Sequence, residues 1–129
     1  MSIQRMGGAR TGSGGQNLPF CRATIANGFV FVSGQVAMGD DGEIIAGGVV
    51  AETHCCIKNI IAILAEAGCT LKDVVKINAW LDDPRDFQAF NRVYASYFQE
   101  ALPARACVQS ALMVDAKVEI EAIALQPQR

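Results

Sequence analysis

Two amphipathic helical stretches, each bracketed by short β-strand patterns, constrain the fold of this chain more than any other feature. The first stripe recurs at helical spacing between about residues 49 and 67 and consists of Val50, Ile57, Ile60, Ile61 and Leu64. Gly68 follows it, at the place where a helix C-terminal cap needs a glycine. The second stripe is aromatic and consists of Phe87, Phe90, Tyr94, Tyr97 and Phe98. Both stripes predict helices that pack against a sheet.

Five apolar runs predict the strands of that sheet, at about 20–25, 29–35, 74–81, 104–110 and 117–125. Asn27-Gly28 lies between the first two runs and predicts a tight hairpin, because both residues tolerate positive φ. Ile44-Ile45 predicts a small extra strand. The resulting order, β-β-α-β-α-β-β, predicts an α+β two-layer sandwich with both helices on one sheet face. The opposite face is also apolar, so we expect a closed homo-oligomer to cover it.

The chain is long enough for one domain, which we place at 18–129. Residues 1–17 are rich in Gly, Arg, Ser and Gln, and we predict a flexible or loosely packed segment there.

Composition excludes several classes of function. The formal net charge is -2 and no basic run exists, so we predict no nucleic-acid partner. Five cysteines without CxxC spacing and a single histidine argue against a disulfide framework or a metal site, and they favour a reducing cytoplasm. No apolar run approaches the roughly 20 residues of a membrane span, so no membrane partner is expected.

Arg105 is the most informative candidate residue. It lies between two alanines in an apolar strand, where a permanently charged guanidinium loses hydration. We therefore expect an anion next to it. If 104–110 and 117–125 form a hairpin, period-two alternation places Arg105 and Cys107 on one face of their strand. A register that pairs Arg105 with Glu121 and Cys107 with Glu119 would then bring all four side chains together. Two interpretations stay open: a plain cross-strand ion pair, which residue types alone favour, and a bound anionic ligand.

Other candidate chemistry is weaker. Ser33-Gly34-Gln35 ends a strand, where a glycine permits close approach by a ligand or another chain but is more often part of a bulge. His54 has no acid or serine partner in the sequence pattern, so a Cys-His or Ser-His nucleophile is unsupported.

Several segments together resemble the RidA/YjgF family of small trimeric enamine/imine deaminases, also catalogued as L-PSP endoribonucleases. The matching segments, in family order, are Val32-Ser33-Gly34-Gln35, Lys58-Asn59-Ile60, Ala67-Gly68, Val74-Val75-Lys76, Asp86-Phe87, Asn91-Arg92-Val93-Tyr94, Pro103-Ala104-Arg105 and Glu119-Ile120-Glu121-Ala122-Ile123-Ala124. The set is specific although no single segment is.

The resemblance implies a chorismate-mutase-like fold, a barrel-like homotrimer, and clefts between subunits that need neither metal nor cofactor. It implies that Arg105 binds the carboxylate of a 2-imino acid and that Glu119 orients the attacking water. Backbone groups of Gly34 and Cys107 would hold the imine nitrogen. The implied catalytic residues are therefore Glu119, Arg105 and Cys107, and the implied substrate-binding residues are Arg105, Phe20, Ser33, Gly34 and Cys107. The product would be a 2-oxo acid plus ammonia.

One segment departs from the family pattern. Where deaminating members usually carry Pro-Tyr-Ser-Gln-Ala, this chain has Pro19-Phe20-Cys21-Arg22-Ala23, so the aromatic ring stays, its hydroxyl is lost and a cation appears. Two alternative hypotheses stand beside the deaminase. One is a non-catalytic 2-oxo acid sensor or protein-binding module, and the other is an endoribonuclease, which the family's older name suggests and against which the acidic balance argues.

Overall fold

The computed structural model describes residues 2–7 and 18–128, which form a single sheet with two helices on one face. The strands are β1 (Gln4–Met6), β2 (Ala23–Ala26), β3 (Phe29–Val36), β4 (Val74–Leu81), β5 (Ala104–Gln109) and β6 (Val118–Leu125). The helices are α1 (Gly48–Glu66) and α2 (Phe87–Tyr97). Strand order across the sheet is β1-β2-β3-β6-β4-β5. The predicted α+β class is confirmed.

The β2–β3 hairpin forms where the Asn27-Gly28 pair predicts it. Asn27 and Gly28 have φ values of 53° and 82°, as a two-residue turn that follows the twist of its strands requires. The turn sets the register, with Ala26 opposite Phe29. Alternate residues of β3 therefore point into the core, where Val30 and Val32 are buried.

The predicted hairpin of the last two strands is wrong. β5 lies at the sheet edge and pairs only with β4, in parallel, whereas β6 lies between β3 and β4. The reason is α2, which connects β4 to β5 as a crossover, and a strand-helix-strand crossover brings its two strands together in parallel. Residues 110–117 then carry the chain away from β5 to the centre of the sheet, so Arg105 does not pair with Glu121.

Both helices cover the sheet with one face. α1 buries Cys56, Ile57, Ile60, Ile63 and Leu64, and Gly68 follows it with a φ of 78°. Val50 and Ile61 were predicted to belong to its buried stripe but are substantially exposed, because they lie at the margins of the face that meets the sheet. By length and composition alone α1 could cross a membrane, yet part of its surface is buried in the core of this domain.

Three residues of the predicted loose segment form an edge strand. Gln4–Met6 pairs with β2, and Met6 is buried, so this short piece is ordered by docking on an existing edge. Residues 8–17 lie outside the described part of the chain. The small strand predicted at Ile44-Ile45 is present as a single bridge between Met38 and Ile44.

Candidate functional site

Arg105 lies on the helix-covered side of the sheet and is anchored by α2. It is the register partner of Ile77, which is buried in the core, so both side chains point toward the helices. Its Nη1 donates a hydrogen bond of 2.7 Å to Oδ1 of Asn91. Its guanidinium carbon lies 5.8 Å from the ring centroid of Phe87, 5.6 Å from that of Phe90 and 4.8 Å from that of Tyr94.

This environment fixes the position of the Arg105 cation without neutralising it. Aromatic faces attract a guanidinium, and Asn91 orients it, but neither supplies a negative charge. Within residues 2–7 and 18–128, no carboxylate oxygen lies within 4.0 Å of the guanidinium. A charge-neutralising partner for Arg105 is therefore not provided by the described part of its own chain.

Glu119 and Glu121 lie on the opposite side of the sheet. Ala122, the cross-strand neighbour of Ile77, points into the core with Val118 and Ile120, so the two glutamates alternate to the face without helices. Asn78 confirms this placement, since its Nδ2 donates a hydrogen bond of 3.0 Å to Oε2 of Glu121. The ion-pair interpretation of Arg105 with Glu121 is thus wrong.

A β-bulge in β3 brings the backbone of Gly34 against the side chain of Glu119. The register of β3 with β6 shifts between Val32 and Gln35, which places Ser33 and Gly34 in the irregular stretch. A Cβ atom added to Gly34 would lie 3.1 Å from Cδ of Glu119 and closer still to its carboxylate oxygen. Glycine at position 34 therefore leaves the Glu119 carboxylate room in its present position, and a larger residue would displace it.

The segment before β2 continues this region. Oγ of Ser33 donates a hydrogen bond of 2.7 Å to the carbonyl oxygen of Cys21, which ties the backbone next to Phe20 to the bulge of β3. The Phe20 ring is 47% exposed, so it is free to contact a ligand or another copy of the chain.

Arg22, the cation that departs from the family pattern, is occupied elsewhere. Its Nη2 lies 2.7 Å from Oε2 of Glu66, in the last turn of α1. This exposed ion pair links the strand region to the helix layer. Arg22 therefore has a structural partner that accounts for its charge.

The surroundings of Glu119 perturb the pKa of its carboxyl group. Burial raises the pKa of Glu119, and the negative charge of nearby Glu121 raises it further. Burial also raises the pKa of the Cys107 thiol, although the neighbouring Arg105 opposes the shift. Because Cys107 keeps its proton at neutral pH, its side chain is a poor nucleophile. This favours a role in ligand binding for its backbone groups over a role in catalysis for its thiol.

The predicted site residues, together with the α2 residues around Arg105, thus fall into two groups on opposite faces of the sheet. We call the first the Arg half-site; it consists of Arg105, Cys107, Asn91, Phe87, Phe90 and Tyr94. We call the second the Glu half-site; it consists of Glu119, Gly34, Ser33 and Phe20. Within one chain, the sheet separates Arg105 from Glu119.

Comparison with known proteins gives the family. Residues 15–126 match the model of the family described as Endoribonuclease L-PSP. The chain belongs to that family. The predicted RidA/YjgF membership is therefore confirmed, since these are names for one family.

Individual relatives and solved structures support the same family assignment. A 2-iminobutanoate/2-iminopropanoate deaminase of Mus musculus is 43% identical over 110 residues, which cover 84% of this chain and 82% of that protein. A RutC family protein of Pyrococcus abyssi is 44% identical over 108 residues, covering 82% and 85%. The crystal structure of yeast Mmf1 has a TM-score of 0.87 at 30% identity and covers 98% of this chain and 100% of that one. E. coli TdcF, solved with bound serine, has a TM-score of 0.81 at 34% identity, with 95% and 94% covered. The chain therefore belongs to a family of RidA-type deaminases, as the sequence analysis predicted.

The sequence analysis did not assign the four α2 residues of the Arg half-site, Phe87, Phe90, Asn91 and Tyr94, to a functional site. Asn91 was quoted only as part of a family segment, and Phe87 was assigned to the core although its ring is 42% exposed. Both lie on the α2 face that meets Arg105. The Asp-Phe and Asn-x-x-Tyr spacing of α2 carries this signal, since these positions recur every three or four residues on one helix face.

Proposed function

We propose that this protein is a hydrolytic deaminase of reactive 2-imino or 2-enamino acids, which releases 2-oxo acids and ammonia. The observation that carries the proposal is the Arg105 guanidinium, which is held in position yet lacks a carboxylate partner among the described residues. A planar fork of N–H donors suits the carboxylate of a small substrate. E. coli TdcF, a relative of the same fold, was solved with serine, a ligand that carries such a carboxylate.

The complete site would form between two copies of the chain. A small substrate cannot touch Arg105 and Glu119 of one chain, because the sheet lies between them, whereas two neighbouring copies can each contribute one half-site. Apolar side chains outside the helix-covered core favour such contacts: Phe29, Phe31, Val75 and Val108 are between 37% and 50% exposed. A closed homotrimer with three such interfaces is the proposed assembly.

The chemistry requires only positioning and one acid-base group. An imine carbon is already electrophilic, so water can add once the substrate is held and oriented. The Glu119 carboxylate accepts a proton from the attacking water as the new C–O bond forms. It returns that proton to the nitrogen, which gives a carbinolamine. Glu119 then accepts the hydroxyl proton as the C=O bond forms and delivers it to the amine as the C–N bond breaks, so that ammonia leaves and a 2-oxo acid remains. Backbone groups of Gly34 and Cys107 are proposed to hold the nitrogen during these steps, and no cofactor or metal enters the reaction.

The proposal is tested by supplying purified protein with 2-iminopropanoate generated in situ and following ammonia release. We expect release well above that in buffer alone. Release equal to buffer, combined with tight binding of a 2-oxo acid, would replace the deaminase by a non-catalytic sensor. The proposed location is the cytoplasm, where the five free thiols would stay reduced.

Gly34→Ala is expected to lower kcat by about 10- to 100-fold while changing the free energy of unfolding by less than about 1 kcal/mol. The added methyl group overlaps the Glu119 carboxylate, which can rotate away at little cost to stability but then no longer holds the water. Steady-state kinetics and urea unfolding measure the two effects. When Gly34→Ala is added to Glu119→Gln, kcat should fall little further. If the double variant instead showed the full product of the two separate losses in kcat, Gly34 would act independently of Glu119.

The acid limb of the pH–kcat/KM profile is expected at a pH above the ordinary pKa range of a glutamate. Glu119 must be ionised to accept a proton, and burial together with the Glu121 charge raises its pKa. Activity is thus lost as pH falls through this raised pKa. Glu121→Gln removes one of the two causes while keeping an oxygen for Asn78, so the limb should move to lower pH. Glu100→Gln, at an exposed position near the end of α2, is the matched control; equal profiles for both variants would contradict the assignment.

A further inference from the structure

A small cavity opens beside the Arg half-site and has no role in the chemistry described above. Its volume is about 250 Å³, and it lies between the end of β4, the start of α2 and the edge strand β5. Its lining residues are Leu81, Pro84, Phe87, Cys107, Val108 and Gln109. We call it the side-chain pocket.

The walls of the side-chain pocket are held in place without a ligand. The Asp83 carboxylate accepts hydrogen bonds from the backbone N–H of Arg85 and from its guanidinium, at 2.9 Å and 2.7 Å, which fixes the 3₁₀ turn that contains Pro84. Leu81 is buried and forms part of the wall from the end of β4. A cavity whose frame is already ordered requires little rearrangement when a ligand enters.

The pocket offers apolar contacts and almost no polar ones. Leucine, proline, phenylalanine and valine supply most of its lining. Gln109 is the exception, but its Nε2 already donates a hydrogen bond of 3.0 Å to the carbonyl oxygen of Asp82. An occupant should therefore be apolar, because a polar group would lose its hydration without gaining partners.

The pocket and the Arg105 cation share a wall. The ring of Phe87 lies against both, and Arg105 and Cys107 point to the same side of β5, two residues apart. A molecule whose carboxylate binds Arg105 and that extends along this face past Cys107 and Phe87 meets the lining of the pocket. The matching ligand is an amphiphile with a carboxylate at one end and a short apolar tail at the other.

We propose that the side-chain pocket receives the apolar side chain of the substrate, so that the preferred substrates are 2-imino acids with branched or linear side chains of about four carbons rather than 2-iminopropanoate. This inference rests on the proposed function, because it takes Arg105 as the carboxylate site. Each methylene group that enters the pocket should strengthen binding by about fourfold. An isobutyl side chain, with three more carbons than a methyl group, should gain at least about tenfold.

The test measures binding of the stable 2-oxo acid products by calorimetry, using wild-type protein and the series pyruvate, 2-oxobutanoate and 4-methyl-2-oxopentanoate. We expect affinity to rise along the series by at least about tenfold in total. Gln109→Trp, which fills the pocket, should abolish most of that rise and leave pyruvate binding within about twofold. Gln99→Trp, at an exposed position at the end of α2 and outside the pocket, is the matched control and should keep the full rise.

The outcomes separate the pocket from the reaction. Equal affinity for all three acids, or a rise that survives Gln109→Trp, would overturn the pocket and leave the deaminase intact. Ammonia release equal to buffer for both 2-iminopropanoate and 4-methyl-2-iminopentanoate, with the affinity series unchanged, would overturn the deaminase and keep the pocket as a ligand site.

Discussion

Arg105→Ala is expected to lower kcat/KM for a 2-imino acid by about 10²- to 10³-fold. The variant removes the only cation of the Arg half-site, and losing one partner of a desolvated charge pair costs about 2–5 kcal/mol. The effect should fall mainly on KM and on product binding, because the carboxylate is charged in both the substrate and the transition state. Ammonia release and calorimetry with pyruvate measure the two contributions.

Two further variants separate charge from geometry. Arg105→Lys keeps the charge but loses the planar fork and the hydrogen bond to Asn91 in its present form, so it should recover only part of the loss. Arg92→Ala, an exposed arginine on α2, is the matched control and should retain wild-type activity. If Arg105→Ala matches Arg92→Ala, Arg105 is a structural residue and the proposed function loses its main support.

Much of the fold could be predicted from local patterns. The Asn27-Gly28 turn and the C-terminal glycine of α1 each need a backbone conformation that few residue types allow. The residue types at these positions therefore predict the turn and the end of the helix. The pairing of β5 was predicted wrongly because apolar alternation specifies which residues share a face and not which strand lies next to it. The crossover through α2 decides the pairing, because it brings β5 beside β4 in parallel.

The candidate site was predictable as a set of residues but not as an arrangement. Arg105 is conspicuous because a charge between alanines needs an explanation, and the family segments add Glu119. Alternation correctly placed Arg105 with Cys107 and Glu119 with Glu121. The relation between the two strands depends on long-range pairing, and only the structure shows that the sheet separates Arg105 from Glu119.

Mixing two inactive variants should restore activity. Arg105→Ala lacks a working Arg half-site, and Glu119→Gln lacks a working Glu half-site, so each homo-oligomer has no complete site. In a mixed ring, an interface is complete wherever the Arg half-site of a Glu119→Gln copy meets the Glu half-site of an Arg105→Ala copy. With equal amounts and random exchange, about one quarter of the interfaces meet this condition.

The expected result is therefore about one quarter of wild-type kcat/KM after the two variants are unfolded in urea, mixed and refolded together, while each variant refolded alone stays near its own residual kcat/KM. Varying the mixing ratio should give a maximum at equal amounts, because the fraction of complete interfaces is the product of the two fractions. A double variant, Arg105→Ala with Glu119→Gln, mixed with wild-type protein serves as the matched control and leaves complete sites only between wild-type neighbours. If no mixture exceeds its components although subunits exchange, both half-sites would have to act from one chain. The sheet that separates them makes such a site physically inaccessible to one small substrate, so the deaminase assignment of these residues would fail.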